Sequence, residues 1–256
     1  MRPIVRVAAA ALAVGMAAPA AAYVLSVRGI LKRMGERRAA LSLEALEVTG
    51  TLGATADAAE ALARTPGVSM VAGQLNAPAL FRMKVPGRCR LELAPPDAPE
   101  ASRPYVAVRD AKVSGAGGLE RIPAAVALVR AACALLAIHV AGDASESYGA
   151  ALSRRGVALG EATLGRFDGR IAYVVGGRAK DAKPLLFVEK DAFRPLRLVA
   201  QEAGTLHDVR LLGWGSPTGG DWFPRAVEAW TGGTLRLRFT TERTVQNPRI
   251  ADAVFQ

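Results

Sequence analysis

The chain has 256 residues, 51% hydrophobic and 5% aromatic, and its 33 Lys and Arg outnumber 23 Asp and Glu for a net charge of +10. That length suits one domain, or one domain with a long insertion, and is ample for a core. Few aromatics are available for base stacking, and the arginines are scattered rather than massed in a tail, which argues against nucleic acid as the partner of this basic surface.

Residues 1–22 read as an export signal: Arg2 and Arg6 flank the start, an apolar run extends from Val7 to Ala18, and Pro19-Ala20-Ala21-Ala22 precedes Tyr23. The alternative is an uncleaved anchor, but the run falls short of the roughly 20 residues that a comfortable membrane span needs. No Cys stands at the cleavage site. The mature protein is therefore expected to be one domain over residues 23–256, periplasmic, soluble and not lipid-anchored. Losing Arg2 and Arg6 leaves it a charge of +8.

In chain order, Val24, Val27, Leu31, Met34 and Leu41 recur at helical spacing, with Arg28, Lys32, Arg33, Glu36 and Arg37 on the remaining surface. The pattern predicts a basic amphipathic helix docked on a sheet, with a membrane-surface helix as the alternative. The period then changes to two at Leu46–Leu52. Ala54–Pro66 is Ala-rich and reads as a long hairpin connection or insertion. Strands are expected at Val68–Leu75, Phe81–Lys84, Arg88–Leu93 and Tyr105–Arg109, and the prolines between Ala94 and Pro104 predict an exposed loop.

Leu119–Val140 is apolar almost all round a helical circumference, with Pro123 tolerable in the first turn and Gly142 beyond the end. A membrane span here would place Arg130 near mid-depth, at a cost of about 2.5–3.5 kcal/mol. A helix lodged in the concavity of a curved sheet fits better, either as closed core or as a removable plug. After Gly149 strands are expected at Ala158–Phe167, Arg170–Gly176, Leu185–Glu189, Pro195–Glu202, Asp208–Trp214, Phe223–Trp230 and Thr234–Thr241, joined by short turns into an antiparallel meander that must curl. In the last, Leu235, Leu237 and Phe239 face one way, and Arg236, Arg238 and Thr240 the other.

No catalytic constellation accompanies these strands. His139 and His207 are the two histidines; His207 beside Asp208 suggests a pair, but no nucleophile elbow or metal-ligand spacing supports a triad or a metal site, so neither enzyme chemistry nor a cofactor is expected. The segment Gly176-Gly-Arg-Ala-Lys180 lacks P-loop spacing and reads as a turn. Trp214, Trp222 and Trp230 are read as core or rim packing before ligand anchors. Cys89 and Cys133 are the two cysteines, and in an oxidising compartment they are expected to pair; two separately buried thiols is the alternative.

Several segments taken together resemble the periplasmic outer-membrane lipoprotein carriers of the LolA type and their lipoprotein-sorting relatives. They are Ala77–Leu93 with its Pro86-Gly-Arg turn, Tyr105–Lys112 with Ala111 in place of the usual Gly, Phe187–Arg197, and the closing Val245–Phe255 with Asn247, Ile250, Asp252 and Phe255. The resemblance implies a mostly β (α+β) fold: a strongly curved, incomplete antiparallel β-barrel with helices covering its concave face, which receives acyl chains. Leu91, Leu93, Leu128, Leu135, Leu198, Leu211, Leu237 and Phe239 are the expected cavity lining, and Arg82, Arg88 and Arg90 could hold the lid or a headgroup. The expected function is then a monomeric carrier or binding protein for lipoproteins or other acylated ligands in outer-membrane biogenesis, meeting a membrane or membrane-protein donor and acceptor transiently. The alternative is a periplasmic interaction or sensor module of the same fold that regulates envelope stress or assembly.

Overall fold

The computed structural model describes residues 24–55, 58, 60, 70–71, 74–95, 99–138 and 144–256. The expected signal peptide, most of Ala54–Pro66, and His139 with Val140 lie outside the described residues. Among those described, no helix is long and apolar enough to cross a membrane.

Thirteen strands form one sheet: β1 (Ala45–Ala54), β2 (Met70–Val71), β3 (Gln74–Lys84), β4 (Arg88–Leu93), β5 (Tyr105–Arg109), β6 (Lys112–Ala116), β7 (Ala162–Phe167), β8 (Arg170–Val175), β9 (Leu185–Glu189), β10 (Pro195–Glu202), β11 (Thr205–Leu212), β12 (Ala226–Thr231) and β13 (Thr234–Gln246). Their order is β6-β5-β4-β3-β1-β13-β12-β11-β10-β9-β8-β7, with β2 paired to β3 beside this path. Every pair is antiparallel. Short turns build two meanders, and the long-range pair β1–β13 joins them, setting Leu52 opposite Phe239. The sheet is not closed; β6 and β7 are its edges.

Among the described residues three helices accompany the sheet: α1 (Val27–Ala39), α2 (Pro123–Leu136) and α3 (Ala144–Ser153). Helix α2 touches β4 and β5 in one meander and β10, β11, β12 and β13 in or next to the other. In a flat sheet β5 and β10 would stand seven strand spacings apart, about 33 Å, whereas a helix is about 10–12 Å across. One short helix meets both because the sheet wraps around it, and the structure is the strongly curved, incomplete barrel that the resemblance implied. Part of the bend lies at Gly50, where the β1–β13 register slips and an added Cβ would fall 2.1 Å from the Thr240 carbonyl oxygen.

Helix α1 starts at Ser26, whose Oγ accepts from the Gly29 N–H at 3.2 Å, and buries Val27, Ile30, Leu31 and Met34. It packs on α3, with Gly35 so close to Ala144 that a Cβ would sit 2.2 Å from the Ala144 Cβ.

Several boundaries differ from the sequence reading. The helix read over Leu119–Val140 begins at Pro123, because a residue before proline is held extended and Ile122 is (φ −87°, ψ 107°); a 3-10 turn over Leu119–Arg121 leads into it. The separate strands expected at Val68–Leu75 and Phe81–Lys84 become β3, continuous through Pro78. Its carbonyl accepts from Ala94 N–H just where the β4 ladder ends at Leu93, so the N–H that proline lacks is not needed there. Pro224 delays β12 to Ala226, and Gly213 (φ +67°) ends β11 at Leu212. Strand β6 and helix α3 carry too little periodic apolar character to announce themselves: β6 has no fully buried residue, and α3 reads Ala-Ser-Glu-Ser-Tyr-Gly-Ala-Ala-Leu-Ser. The β5–β6 turn is built on Asp110 (φ 49°) and Ala111 (φ 68°). Both take the left-handed conformation of a tight hairpin, which favours Asn, Asp or Gly, and so the Ala is a departure.

Candidate functional site

Helix α2 lies on the apolar concave face of the sheet. Eleven of its fourteen residues are buried, with Arg130 as the polar exception on its side. Leu91, Leu93, Leu128, Leu135, Leu198, Leu211, Leu237 and Phe239 all belong to one apolar cluster, each at most 1% exposed. The structure therefore brings the eight expected lining residues together, but packs the six strand residues around the two helix leucines rather than around space. Cys89 of β4 and Cys133 of α2 face each other with Cα atoms 5.6 Å apart, within disulfide reach.

Polar contacts fasten α2 at several points. Arg130 pairs with Glu202 at the end of β10 and reaches the Ala111 carbonyl in the β5–β6 turn at 3.5 Å, so it links the two flanks of the open sheet. Arg155 donates to the Arg130 carbonyl at 3.2 Å. Tyr148 of α3 is fully buried and donates to the Leu135 carbonyl at 3.1 Å; burial raises its hydroxyl pKa to about 12, and nearby Arg38 opposes that rise. At the C-terminal end of α2 the buried Arg38 donates to the Leu136 carbonyl at 2.9 Å, and the Gly87 N–H to the Ala137 carbonyl at 2.7 Å. A cation there meets both the orphan carbonyls and the negative end of the helix dipole.

Two clefts open at the ends of this helix, and none of the eight apolar residues lines either. A cleft of about 1040 Å³ at the C-terminal end lies among Arg38, Leu43, Lys84, Ile138, Asn247 and Ile250. A cleft of about 340 Å³ at the N-terminal end is lined by Ile122, Pro123, Thr205, His207 and Thr231, with Arg121 and Arg236.

Arg82, Arg88 and Arg90 lie on the strand face away from α2, because Phe81, Met83, Cys89 and Leu91 occupy the inner positions between them. They already hold partners. Arg82 pairs with Glu47 at 3.0 Å, Glu92 at 3.4 Å and Glu100 at 3.3 Å, and Arg90 with Glu92 at 2.8 Å while stacking on Tyr105. Glu92, wholly buried, also receives Arg103 at 3.5 Å. Arg88 and Lys84 each hold Asp252 at 2.6 Å, Arg90 donates to the Val254 carbonyl at 2.8 Å, and Tyr105 to the Gln256 carbonyl at 3.0 Å. The last residues thus form a strap across β3, β4 and β5, with Phe255 buried at 1% exposure. The guanidiniums assigned to a lid or headgroup serve this strap and the Glu92 cluster.

The Lys84 hydrogen bond, with Arg88 beside it, holds the Asp252 carboxyl below the usual carboxylate range. A carboxyl depressed in the folded state contributes fully above its unfolded pKa of about 4 and loses that contribution as pH falls through the folded value. The strap is therefore expected to loosen only in acid below about pH 4, and Asp252→Asn should loosen it at neutral pH as well. Chemical shifts of the Phe255 ring followed through a pH titration check both.

His207 and Asp208 do not act as a pair. Neighbours in a strand face opposite ways: His207 is inside at 2% exposure, and Asp208 is outside, held by Arg197 at 2.7 Å and Arg210 at 2.9 Å. Of the tryptophans, Trp214 is buried with its Nε1 donating to the Pro195 carbonyl at 2.8 Å, and Trp230 donates to Glu228 at 2.8 Å beneath Arg210. Among the described residues no three His, Cys, Asp or Glu side chains gather as a metal site would require. The sequence reading missed Arg38, Tyr148 and Glu92. For Glu92 the signal was present, a lone acid in line with Arg88 and Arg90 on one strand face.

No family model matches the chain. No curated protein matches it. Among solved structures it is similar to LolA superfamily protein NE2245 from Nitrosomonas europaea, with 13% identity and a TM-score of 0.45 over 91% of this chain and 98% of that one. A DUF1329 family protein from Desulfovibrio piger has 11% identity and a TM-score of 0.42 over 91% and 98%. MucB in its complex with MucA has 14% identity and a TM-score of 0.29, over 90% of this chain and 59% of that one. The solved structures similar to this chain thus include LolA superfamily proteins.

Proposed function

We propose that the chain is an exported binding module for lipoproteins or other acylated ligands, whose apolar site is the concave face of the sheet and whose helix α2 is the occupant that a ligand displaces. The observation that carries this reading is the seating of α2: a short, almost wholly apolar helix lying within an open, one-sided sheet as a ligand would. The energies are comparable. Burying Leu128, Val129, Leu135 and Leu136 is worth about 1.5–3 kcal/mol each, so about 6–12 kcal/mol together. A fourteen-carbon acyl chain, at about 0.8 kcal/mol per methylene, is worth about 11 kcal/mol. A link between Cys89 and Cys133 tips that balance toward the helix, because the helix then cannot leave.

A fluorescent acyl probe tests this with the cysteines oxidised and reduced. The reduced protein is expected to bind at least about tenfold tighter, a difference of about 1.4 kcal/mol. Failure of both forms to bind would favour the second reading, an interaction module whose filled concavity is permanent core; the Arg130 ion pair with Glu202 at one flank of the sheet and its hydrogen bond to the Ala111 carbonyl at the other support that reading.

A further inference from the structure

The two ends of α2 are finished differently. Its last carbonyls meet the buried Arg38. At its first turn, by contrast, the capping position is Ile122, which makes no side-chain hydrogen bond, Pro123 has no N–H to offer, and no acidic residue stands in the turn. The positive end of this helix therefore lacks the negative group that such ends attract.

This end opens into the cleft of about 340 Å³ that His207 also lines. His207 is 2% exposed, and its Nδ1 lies 2.9 Å from the Thr231 Oγ1, while its Nε2 is buried with no hydrogen-bond partner. Buried polar atoms are nearly always satisfied, so a bare ring nitrogen beside an uncapped helix end points to a missing partner. Arg121 and Arg236 line the same cleft, and Thr205 and Thr231 add hydroxyls. Of the nearby acids, Glu120 accepts from the Gly118 N–H and pairs with Arg121 of the same cleft, and Glu202 pairs with Arg130.

We infer that this cleft is an anion site for a phosphate- or carboxylate-bearing small molecule, with the charged group between the start of α2 and His207 Nε2. In the tautomer that this site requires, the Thr231 hydroxyl donates to Nδ1 and the proton stands on Nε2, facing the anion. Burial lowers the His207 pKa and keeps the ring a neutral donor near neutral pH. Arg121, which also pairs with Glu120, and Arg236 line the cleft, and the volume, at the low end for small-molecule pockets, leaves room for a short apolar body against Ile122 and Pro123.

The site needs α2 in place, so it stands apart from ligand binding on the concave face and is tested on the oxidised protein. The imidazole ¹⁵N signals of His207 are followed during titration with inorganic phosphate and, separately, with dodecyl phosphate. A saturable shift at Nε2 is expected, weakened about tenfold in Arg121→Gln, whose side chain is exposed and leaves the fold intact. Tighter binding of dodecyl phosphate than of phosphate marks a lipid headgroup as the source, and equal binding marks a free anion; either supports the site. A shift that never saturates, or one unchanged in Arg121→Gln, would overturn it.

Discussion

Replacing Leu128 by Asp is expected to abolish the native packing of α2. Leu128 is fully buried at the middle of the helix, and truncating such a leucine costs about 2–5 kcal/mol before the charge is counted. An unpaired carboxylate in that position adds several kcal/mol more, which together approaches the whole stability of a typical domain, about 5–15 kcal/mol. Hydrogen exchange separates two routes to that end. If α2 is a displaceable occupant, its amides lose protection while those of β11, β12 and β13 keep theirs. If α2 is permanent core, all are lost together, and the acyl-binding reading falls with them. Leu135→Asp is expected to behave in the same way, being equally buried. His207→Ala should neither unfold the protein nor alter acyl binding.

The second large effect concerns Cys89 and Cys133, 44 residues apart. Closing a loop of that length removes chain entropy worth about 4 kcal/mol from the unfolded state. Reduction, or the double replacement Cys89→Ala with Cys133→Ala, should therefore lower Tm by about 8–16 °C, at about 2–4 °C per kcal/mol for a chain of this size. Thermal melts with and without reductant measure it. A shift within a degree or two would mean that the thiols are not joined, and the covalent hold on α2 would have to be abandoned. Single substitutions should match the double, since either removes the same link.

Both effects depend on what surrounds α2, and the sequence disclosed only part of that. The alternation of Leu235, Leu237 and Phe239 with arginines, and of Cys89, Leu91 and Leu93 with Arg88, Arg90 and Glu92, was enough to assign inner and outer faces, because a strand's side chains have a period of two whatever they pair with. The all-apolar stretch after Pro123 was enough to require burial, since no exposed helix can be apolar all round. Those are local properties, carried by each segment alone.

Tertiary structure alone decided which surfaces met. Nothing in Leu46–Leu52 or Thr234–Gln246 names the other as its partner; the β1–β13 pairing follows from the need of two meanders to share one apolar interior. Arg38 looks in the sequence like any other basic residue of an amphipathic helix, yet it is buried on the last carbonyl of α2 because α1 and α3 bring it there. Arg82, Arg88 and Arg90 read in the sequence as solvated strand residues that could also hold a lid or headgroup, and Glu92 and the closing residues that cross the outside of the sheet occupy them. His207 and Asp208 are neighbours in the sequence, and the pleat of a strand sets them on opposite faces. Local periodicity determined which faces are apolar, because it needs only neighbours a few residues away. Whether a helix or a ligand occupies the concavity depends on long-range contacts, because that is a competition between surfaces far apart in the chain.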